Sequence, residues 1–455
     1  MLDRLIAWRA VVGPWELGFD NVARMIMRQL VVLLSALAAY ILIPHMTSSR
    51  SPTIGLGEFV GLMATLTALV ALSIDMILPA LPAIGATLGV ERANDNQLIV
   101  SLLFLGFGIG QLFYGPLSDA TGRKPAAYVG LALFTIGCVL ALLSKSFALL
   151  LAGRFLQGVG VAGPRTITLA LVRDRFEGRA MARVMSLIMA VFILVPVVAP
   201  ALGQAVLGVS GWRTIFAIYL AMGLIALVWF AIRQEETLPS NRRIPFSVGR
   251  MGAAAREVVT TRRSVGYTLA AGYMFGAFLG YLISAQQILQ QQYALGIQFP
   301  LYFAILAIAI GGASLVNASL VMRYGMGALT RWSLRGISAV SIAFAAVAGA
   351  VAGHPPLWML MTYLMVSFFG IGLLFGNLNA LAMQPLGHIA GTGAAIVGAT
   401  SMLISLALGT WIGQSYNGTV LPLVVGFAVL SACSLIAAWW AESGEPRHEI
   451  VSESA

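Results

Sequence analysis

The chain has 455 residues, of which 59% are hydrophobic and only 10% are charged, and its mean hydropathy is +0.90. This composition excludes an ordinary soluble enzyme and predicts an all-α membrane protein with repeated spans. The formal net charge of +10 would suggest a nucleic-acid partner in a soluble protein. Basic residues of a membrane protein instead collect in cytoplasmic loops, so we expect no nucleic-acid partner.

Residues 1–51 form an extension before the regular part of the chain. Four arginines precede an apolar run over 30–44, which is short for a span of about 20 residues. Three interpretations stay open: an extra short helix, an uncleaved targeting segment, or non-native sequence translated upstream of a start at Met46. We favour the last of these.

From Gly57 onward the hydropathy pattern settles into twelve apolar runs separated by short polar loops. Six runs fall within 52–232 and six within 264–441, while 233–263 is the longest polar segment and 442–455 is a polar tail. This pattern predicts twelve transmembrane helices in two six-helix bundles, joined by a central loop. The runs lie at about 57–80, 96–115, 125–143, 147–171, 184–206, 213–232, 265–287, 299–321, 329–352, 356–382, 391–413 and 420–440.

The basic residues predict the orientation of these spans. One set of alternate loops contains only Arg92, Lys145 and Arg213, whereas the other set and the central loop contain many more Lys and Arg residues. Because cytoplasmic loops accumulate positive charge, we expect a multi-pass protein of a bacterial-type inner (plasma) membrane. Both ends of the bundle, and therefore the central loop and the tail, would lie in the cytoplasm.

The first run carries a carboxylate, Asp75, near its far end. A charge at membrane depth costs about 2.5 to 3.5 kcal/mol or more, so such a residue is interpreted as functional. Helical spacing places Thr67 and small alanines on the same side as Asp75. This small, weakly polar face predicts a surface that lines a cavity rather than lipid.

The loop after the second run reads GPLSDATGRKP and begins at Gly115. We expect Gly115 to let two helices approach closely and Gly122 to permit a tight turn. Asp119 would cap or pair near the start of the next helix, and Arg123 with Lys124 would anchor the cytoplasmic side. These residues form the candidate gating loop.

This string resembles the signature after the second helix of the major facilitator superfamily, and the twelve runs with a central loop fit that family over 52–441. The two halves also share a weak repeat, in which Gly122 corresponds to Gly325. In the second half, Met322 stands where Asp119 stands in the first. The resemblance therefore implies a conformational latch that rests mainly on the first half.

The fourth run places Arg154, Gln157 and Arg165 on one side of a helix. It is similar to the superfamily's Arg-x-x-Gln-Gly motif, whose arginine is implicated in proton coupling. At about 1.5 Å per residue, Asp75 and Arg154 differ by only about 3 Å in depth, which suggests a shared cavity or an ion pair. The alternative for each arginine is that it snorkels to a membrane interface.

The fifth run contains Pro196, Pro200 and Gly203, a degenerate form of the superfamily's antiporter motif. Proline removes a backbone hydrogen bond and glycine lets helices pack closely, so we expect a hinge here. Further strings resemble the Bcr/CflA subfamily of drug:proton antiporters. They are IDMILPALP at 74–82, Arg-Asp at 173–174, Trp212 with Phe216, and ETLP at 236–239.

The second half offers uncharged polar groups for a substrate cavity. The candidates are Tyr281 and Gln286 in the seventh span, Asn317 in the eighth and Asn377 in the tenth. Amide groups suit hydrogen bonding to weakly polar substrates. Solvation of a helix end is the alternative for the glutamine, and lipid or helix contact is the alternative for the tyrosine.

The resemblance implies a secondary transporter that exports drug-like or antibiotic molecules in exchange for protons by alternating access. We expect a monomer in the lipid bilayer that binds a small-molecule substrate, with Asp75 and Arg154 coupling protons and no cofactor or metal. Proton-coupled uptake of a metabolite or nutrient is the alternative within transport. A membrane enzyme or ATP-driven pump is disfavoured, because neither Lys124 nor Lys145 stands in a Gly-x-x-x-x-Gly-Lys-Ser/Thr loop.

Overall fold

The computed structural model describes residues 54–443. The extension over 1–51 and nearly all of the tail lie outside the described residues, so the three interpretations of the extension stay predictions.

The first half is a series of long helices, with one short helix after the first. A 3-10 turn at Leu78–Ala80 links α1 to this short helix α2, and a second 3-10 turn at Ala93–Gln97 precedes α3. The helices are α1 Leu56–Asp75, α2 Leu81–Leu88, α3 Leu98–Thr121, α4 Arg123–Leu142, α5 Phe147–Arg175, α6 Gly178–Ser210 and α7 Arg213–Arg233.

A short amphipathic helix, α8 Val248–Thr260, lies in the central segment and packs on the second half. The helices that follow are α9 Arg262–Gln286, α10 Phe299–Tyr324, α11 Met326–Ala350, α12 Leu357–Met383, α13 Ala390–Gln414 and α14 Leu421–Glu442. α9 continues as a π-helical segment, Gln287–Gln292. The apolar stretch over α12 and α13 is broken at Leu386, whose backbone is non-helical, so each part is a span of its own.

The described chain therefore contains the twelve long apolar helices that the sequence predicts. Several helices extend a few residues beyond the expected runs, such as Leu98–Thr121 and Gly178–Ser210, but the first is shorter: the expected span runs to about residue 80, whereas the α-helix ends at Asp75. Pro79 and Pro82 follow, and proline lacks the N–H that a regular helix needs, so the chain continues as a 3-10 turn and the short α2. Asp75 is thus the last helical residue rather than an interior one.

Glycines let α5 occupy the centre of the first half. α5 packs on both α3 and α4. A Cβ at Gly158 would collide with the carbonyl oxygen of Leu103 on α3, and a Cβ at Gly160 would collide with the backbone of Phe134 on α4. α5 is therefore held between two helices at backbone contact, which fixes the direction of its polar side chains.

In the second half α9 holds the corresponding central place, packed on α13 and α14. The halves meet along two helix pairs, α3 with α13 and α6 with α10. In the second pair, a Cβ at Gly311 would collide with the Ile193 side chain. The two halves are thus joined by a small number of close helix contacts.

The repeat that the sequence suggests is present in the backbone. Gly122 ends α3 and starts α4 with φ 106° and ψ 163°. Gly325 ends α10 and starts α11 with φ 78° and ψ 155°. Both conformations lie in the positive-φ region that favours glycine. The same tight turn therefore recurs in each half.

Candidate functional site

The end of the molecule that contains the α3–α4 turn carries most of the charged side chains, and we call it the basic end. There Arg123 Nη1 donates to the carboxylate of Asp119 at 2.6 Å, and its Nε donates to Asp174 at 2.9 Å. Thr237 donates to the same Asp174 carboxylate at 2.7 Å. These residues, with Glu236, form what we call the Arg123 network. The pairing predicted for Asp119 near the start of the next helix is thus present.

Glu236 caps α4 from a distant part of the chain. Its carboxylate accepts the backbone N–H groups of Arg123 at 2.8 Å and Lys124 at 2.9 Å, the first N–H groups of that helix. Burial raises the pKa of the Glu236 carboxyl, but hydrogen bonds from the Leu238, Lys124 and Arg123 N–H groups outweigh it and hold the pKa below its ordinary value. Glu236 therefore stays ionised and holds the chain after α7 on the α3–α4 turn.

Gly122 suits this turn because its φ of 106° favours glycine, and a Cβ there would also meet the ends of the Glu236 and Arg243 side chains. The expectation for Gly115 is wrong: a Cβ there would lie 3.9 Å from Ala395 of α13, an ordinary contact that does not depend on glycine. A Cβ at Gly108, earlier in α3, would lie only 3.2 Å from the Met402 side chain of α13. The close approach of α3 to α13 lies there instead.

A cavity of about 400 Å³ lies between the two halves at the basic end. Arg165 and Thr166 of α5 and Gln111 of α3 line it from the first half, and Asn379 of α12 and Thr392 of α13 from the second. Members of the Arg123 network line its mouth. Of the residues predicted for a substrate cavity, Arg165 is the one that lines this one.

Asp75 lies elsewhere, at the end of α1, with 4% of its surface exposed. Within residues 54–443 its carboxylate has no hydrogen bond and no ion pair. It interacts electrostatically with the hydroxyl groups of Tyr219 on α7 and Tyr281 on α9. The Tyr281 hydroxyl is itself buried and has no hydrogen-bond partner in the part of the chain that the structure describes. An unpaired carboxylate thus lies within electrostatic range of groups from both halves.

Arg154 is fully buried and is satisfied by neutral acceptors. Its guanidinium donates to the Ile99 and Ser73 carbonyl oxygens at 2.9 and 2.8 Å and to Gln157 Oε1 at 2.8 Å. The ion pair suggested between Arg154 and Asp75 is absent from the described structure, because these carbonyls occupy the guanidinium. The snorkelling alternative for Arg154 is also excluded by its burial.

The candidate hinge contacts the chain beside Asp75. Pro196 and Pro200 lie inside the continuous helix α6. A Cβ at Gly203 would collide with the carbonyl oxygen of Met76, the residue after Asp75. Close packing at Gly203 therefore places α6 against the end of α1, while bending at the prolines stays a prediction.

The opposite end, which we call the amide end, is closed by side-chain amides that join the two halves. Gln97 donates to Gln287, and Gln287 Nε2 donates to Asn94 Oδ1 at 2.7 Å. Asn94 Nδ2 donates to the Gln414 carbonyl at 2.9 Å, and Gln414 Nε2 returns a bond to the Asn94 carbonyl at 2.8 Å. The structure is therefore latched at the amide end and has its cavity at the basic end.

The other predicted cavity residues bond to near neighbours. Thr67 donates to the Met63 carbonyl of its own helix at 2.9 Å. Gln286 donates to Gln290 at 3.1 Å, in the same turn region as the latch. Asn377 donates to Asn317 at 2.9 Å and links α12 to α10. Their role in substrate binding stays a prediction.

Sequence reasoning missed Gln111, Thr166 and Thr392 in the cavity and the capping role of Glu236. Single polar residues in apolar runs mark the first three, but nothing in the sequence brings α3, α5 and α13 together. Glu236 belongs to the ETLP string. That string indicates a resemblance to a subfamily, but it does not indicate that Glu236 caps α4.

Residues 63–410 match the model of the Major Facilitator Superfamily. The chain is 32% identical over 367 residues to a Bacillus subtilis (strain 168) protein described as the uncharacterized MFS-type transporter YdgK, covering 80% of this chain and 90% of that one. It is 26% identical to a bicyclomycin resistance protein homolog of Haemophilus influenzae, covering 85% and 96% respectively. A crystal structure of a D-xylose-proton symporter has a TM-score of 0.66 at 14% identity, covering 85% and 98%.

Proposed function

We infer the function from an established premise: the chain belongs to the Major Facilitator Superfamily and is a multi-pass membrane transporter of small molecules, not an enzyme. We propose that it is a proton-coupled antiporter that exports drug-like or antibiotic molecules across a bacterial inner membrane. The resistance protein among its relatives supports drug export. The basic end would face the cytoplasm, as the loop charges predict.

The observation that carries the proposal is the unpaired, buried carboxylate of Asp75. In a membrane protein such a group is expensive unless it changes charge or partner during the cycle. Protonation removes that cost. Because Asp75 interacts electrostatically with Tyr219 of one half and Tyr281 of the other, its charge state would be felt by both halves.

Arg154 then has a positioning role in this proposal. Its bonds to the Ser73 and Ile99 carbonyls hold the end of α1 against α3 and α5, two residues from Asp75. No direct exchange between Arg154 and a substrate is needed.

Alternating access would connect the two ends. With the amide latch closed, the cavity at the basic end takes a substrate from the cytoplasm. Proton entry from the outer side and proton release to the inner side would drive rocking of the six-helix bundles around the site. The close contacts at Gly311 and Gly203 lie on helices that must move in that rocking.

The test uses purified protein in vesicles with an imposed proton gradient, alongside drug susceptibility of a pump-deficient strain. We expect Asp75→Asn to abolish gradient-driven export, with Asp75→Glu retaining part of it. Asp95→Asn is the matched control, because Asp95 forms a surface ion pair with Arg92. Full proton-coupled transport by Asp75→Asn would contradict the proposal, and accumulation rather than efflux would favour nutrient uptake instead.

A further inference from the structure

The charges that line the cavity at the basic end are not balanced. Its lining contains three arginines, Arg123, Arg165 and Arg173, and two aspartates, Asp119 and Asp174. Both aspartates are paired with Arg123, at 2.6 and 2.9 Å. Both carboxylates are therefore held by Arg123, and three arginines against two aspartates leave the lining with an excess of one positive charge.

Among these three arginines, Arg165 is the one without a hydrogen bond or ion pair in the described chain. It lies 11 residues from Arg154 on α5, so it is about 16 Å from the coupling region near Asp75. The guanidinium carbon lies 5.1 Å from the centre of the Phe192 ring on α6. Within the described chain Arg165 makes no hydrogen bond and no ion pair, so the aromatic ring holds the cation without neutralising it.

Arg165 and Arg154 lie on the same membrane helix but differ in their hydrogen bonding. Arg154 donates to three acceptors of the protein and is fully buried. Arg165 has no acceptor among residues 54–443, and its side chain borders the cavity. Arginine presents several N–H donors in a planar fork that matches a carboxylate or phosphonate. An unpaired fork in a membrane cavity is suited to an anionic group from outside the protein.

We propose that Arg165 anchors an acidic group of the transported molecule, so that the cavity prefers organic monoanions such as aryl carboxylates over neutral or cationic compounds. This rests on the proposed transport function and specifies its substrate class. Gln111, Thr166 and Asn379 line the same cavity and supply uncharged polar groups for the rest of the molecule. The excess of positive charge would also draw such anions from solution into the cavity.

Binding to the purified full chain in detergent tests this without any proton gradient. The probes are three anions, 2-naphthoate, nalidixate and indole-3-acetate, each compared with its own uncharged primary amide. The readout is the ligand-dependent shift of the melting midpoint. For each anion that binds, we expect an affinity at least about tenfold higher than that of its amide, because the amide lacks the charge-assisted hydrogen bond.

Arg165→Gln is expected to remove that preference and to leave amide binding unchanged. Because Arg165 has no hydrogen bond or ion pair within the described chain to lose, only its contact with the Phe192 ring, the variant should fold normally, and Arg165→Lys should keep part of the preference as a second check. Arg173→Gln is the matched control. This variant removes a cation from the same cavity and the same helix. Arg173, however, is exposed, and its Nε donates to the Leu169 carbonyl of its own helix.

The proposal is overturned if no anion binds more tightly than its amide, if Arg165→Gln keeps the preference, or if Arg173→Gln loses it equally. Asp75→Asn should bind these anions like the wild type, because the assay needs no proton transfer. Loss of proton coupling together with a normal anion preference, or the reverse, therefore shows which of the two proposals has failed.

Discussion

The α3–α4 turn and the α10–α11 turn share one backbone conformation but are held by different forces. Around Gly122, charges from α3, α4, α5 and the chain after α7 meet in the Arg123 network. Around Gly325, Leu320 and Val321 pack on the buried side chains of Ala313, Leu329 and Leu373. Met322, in the place of Asp119, is 87% exposed.

This difference has a physical consequence. Apolar packing is insensitive to the exact placement of a neighbour, whereas charged hydrogen bonds are strong only in a narrow geometry. The first turn is therefore suited to a latch that is either formed or broken, and the second to a fixed support. That latching rests mainly on the first half stays a prediction.

The largest effect is expected from Arg123→Ala. It leaves Asp119 and Asp174 without their partner in a half-buried site, which should cost about 2 to 3 kcal/mol of stability and most of the transport activity. Arg323→Ala is the control, since Arg323 is exposed and lies over its own neighbour Tyr324. Melting midpoints and export are measured for both variants. If Arg123→Ala and Arg323→Ala had the same midpoint and the same export, the proposed difference between the two turns would be contradicted.

The next effect separates the turns themselves. Ala at either glycine must adopt positive φ, at about 1 to 2 kcal/mol. Gly122→Ala also collides with Glu236, whereas a Cβ at Gly325 meets nothing within 4 Å. We expect a lower melting midpoint for Gly122→Ala than for Gly325→Ala. Equal midpoints would mean that Glu236 adjusts without loss.

Glu236→Gln should cost about 1 kcal/mol at neutral pH, because one carboxylate oxygen that accepts an N–H of α4 is lost. The Glu236 pKa is lower in the folded state than its ordinary value of 4.5. Its stabilisation is therefore full above pH 4.5 and is lost as the pH falls through the lower folded-state pKa.

The difference in melting midpoint between wild type and Glu236→Gln should shrink as the pH drops below 4.5. Glu235→Gln, which removes a carboxylate from the exposed neighbouring position, is the control. A constant difference at all pH values would argue that Glu236 acts through its shape alone.

The smallest effect is expected from building the missing charges into the second turn. Met322→Asp alone should change stability by less than about 0.5 kcal/mol, because its position is exposed. Adding Met326→Arg recreates the spacing of Asp119 and Arg123, but as a surface pair worth about 0.3 to 0.5 kcal/mol. A larger gain in the double variant would show that charges alone, without Asp174 and Glu236, make the latch.

Much of the fold was predictable from local pattern. The twelve runs were long and apolar enough to identify each helix, and their ends were close to those observed. The end of α1 was misplaced, because hydropathy does not register that Pro79 and Pro82 stop a regular helix while apolar residues continue. The candidate site was predicted less well: Asp75, Arg154 and Arg123 stood out, but their partners did not.

The sequence by itself determined the membrane class, the helix count, the repeated turn and the positions of the costly charges, because hydropathy, glycine placement and charge are properties of short stretches. Only the tertiary structure decided which charges are satisfied. Arg154 bonds to carbonyls of α1 and α3, Glu236 caps α4, and Arg165 is left facing a cavity. These outcomes depend on contacts between helices far apart in the chain, and no local pattern records such contacts.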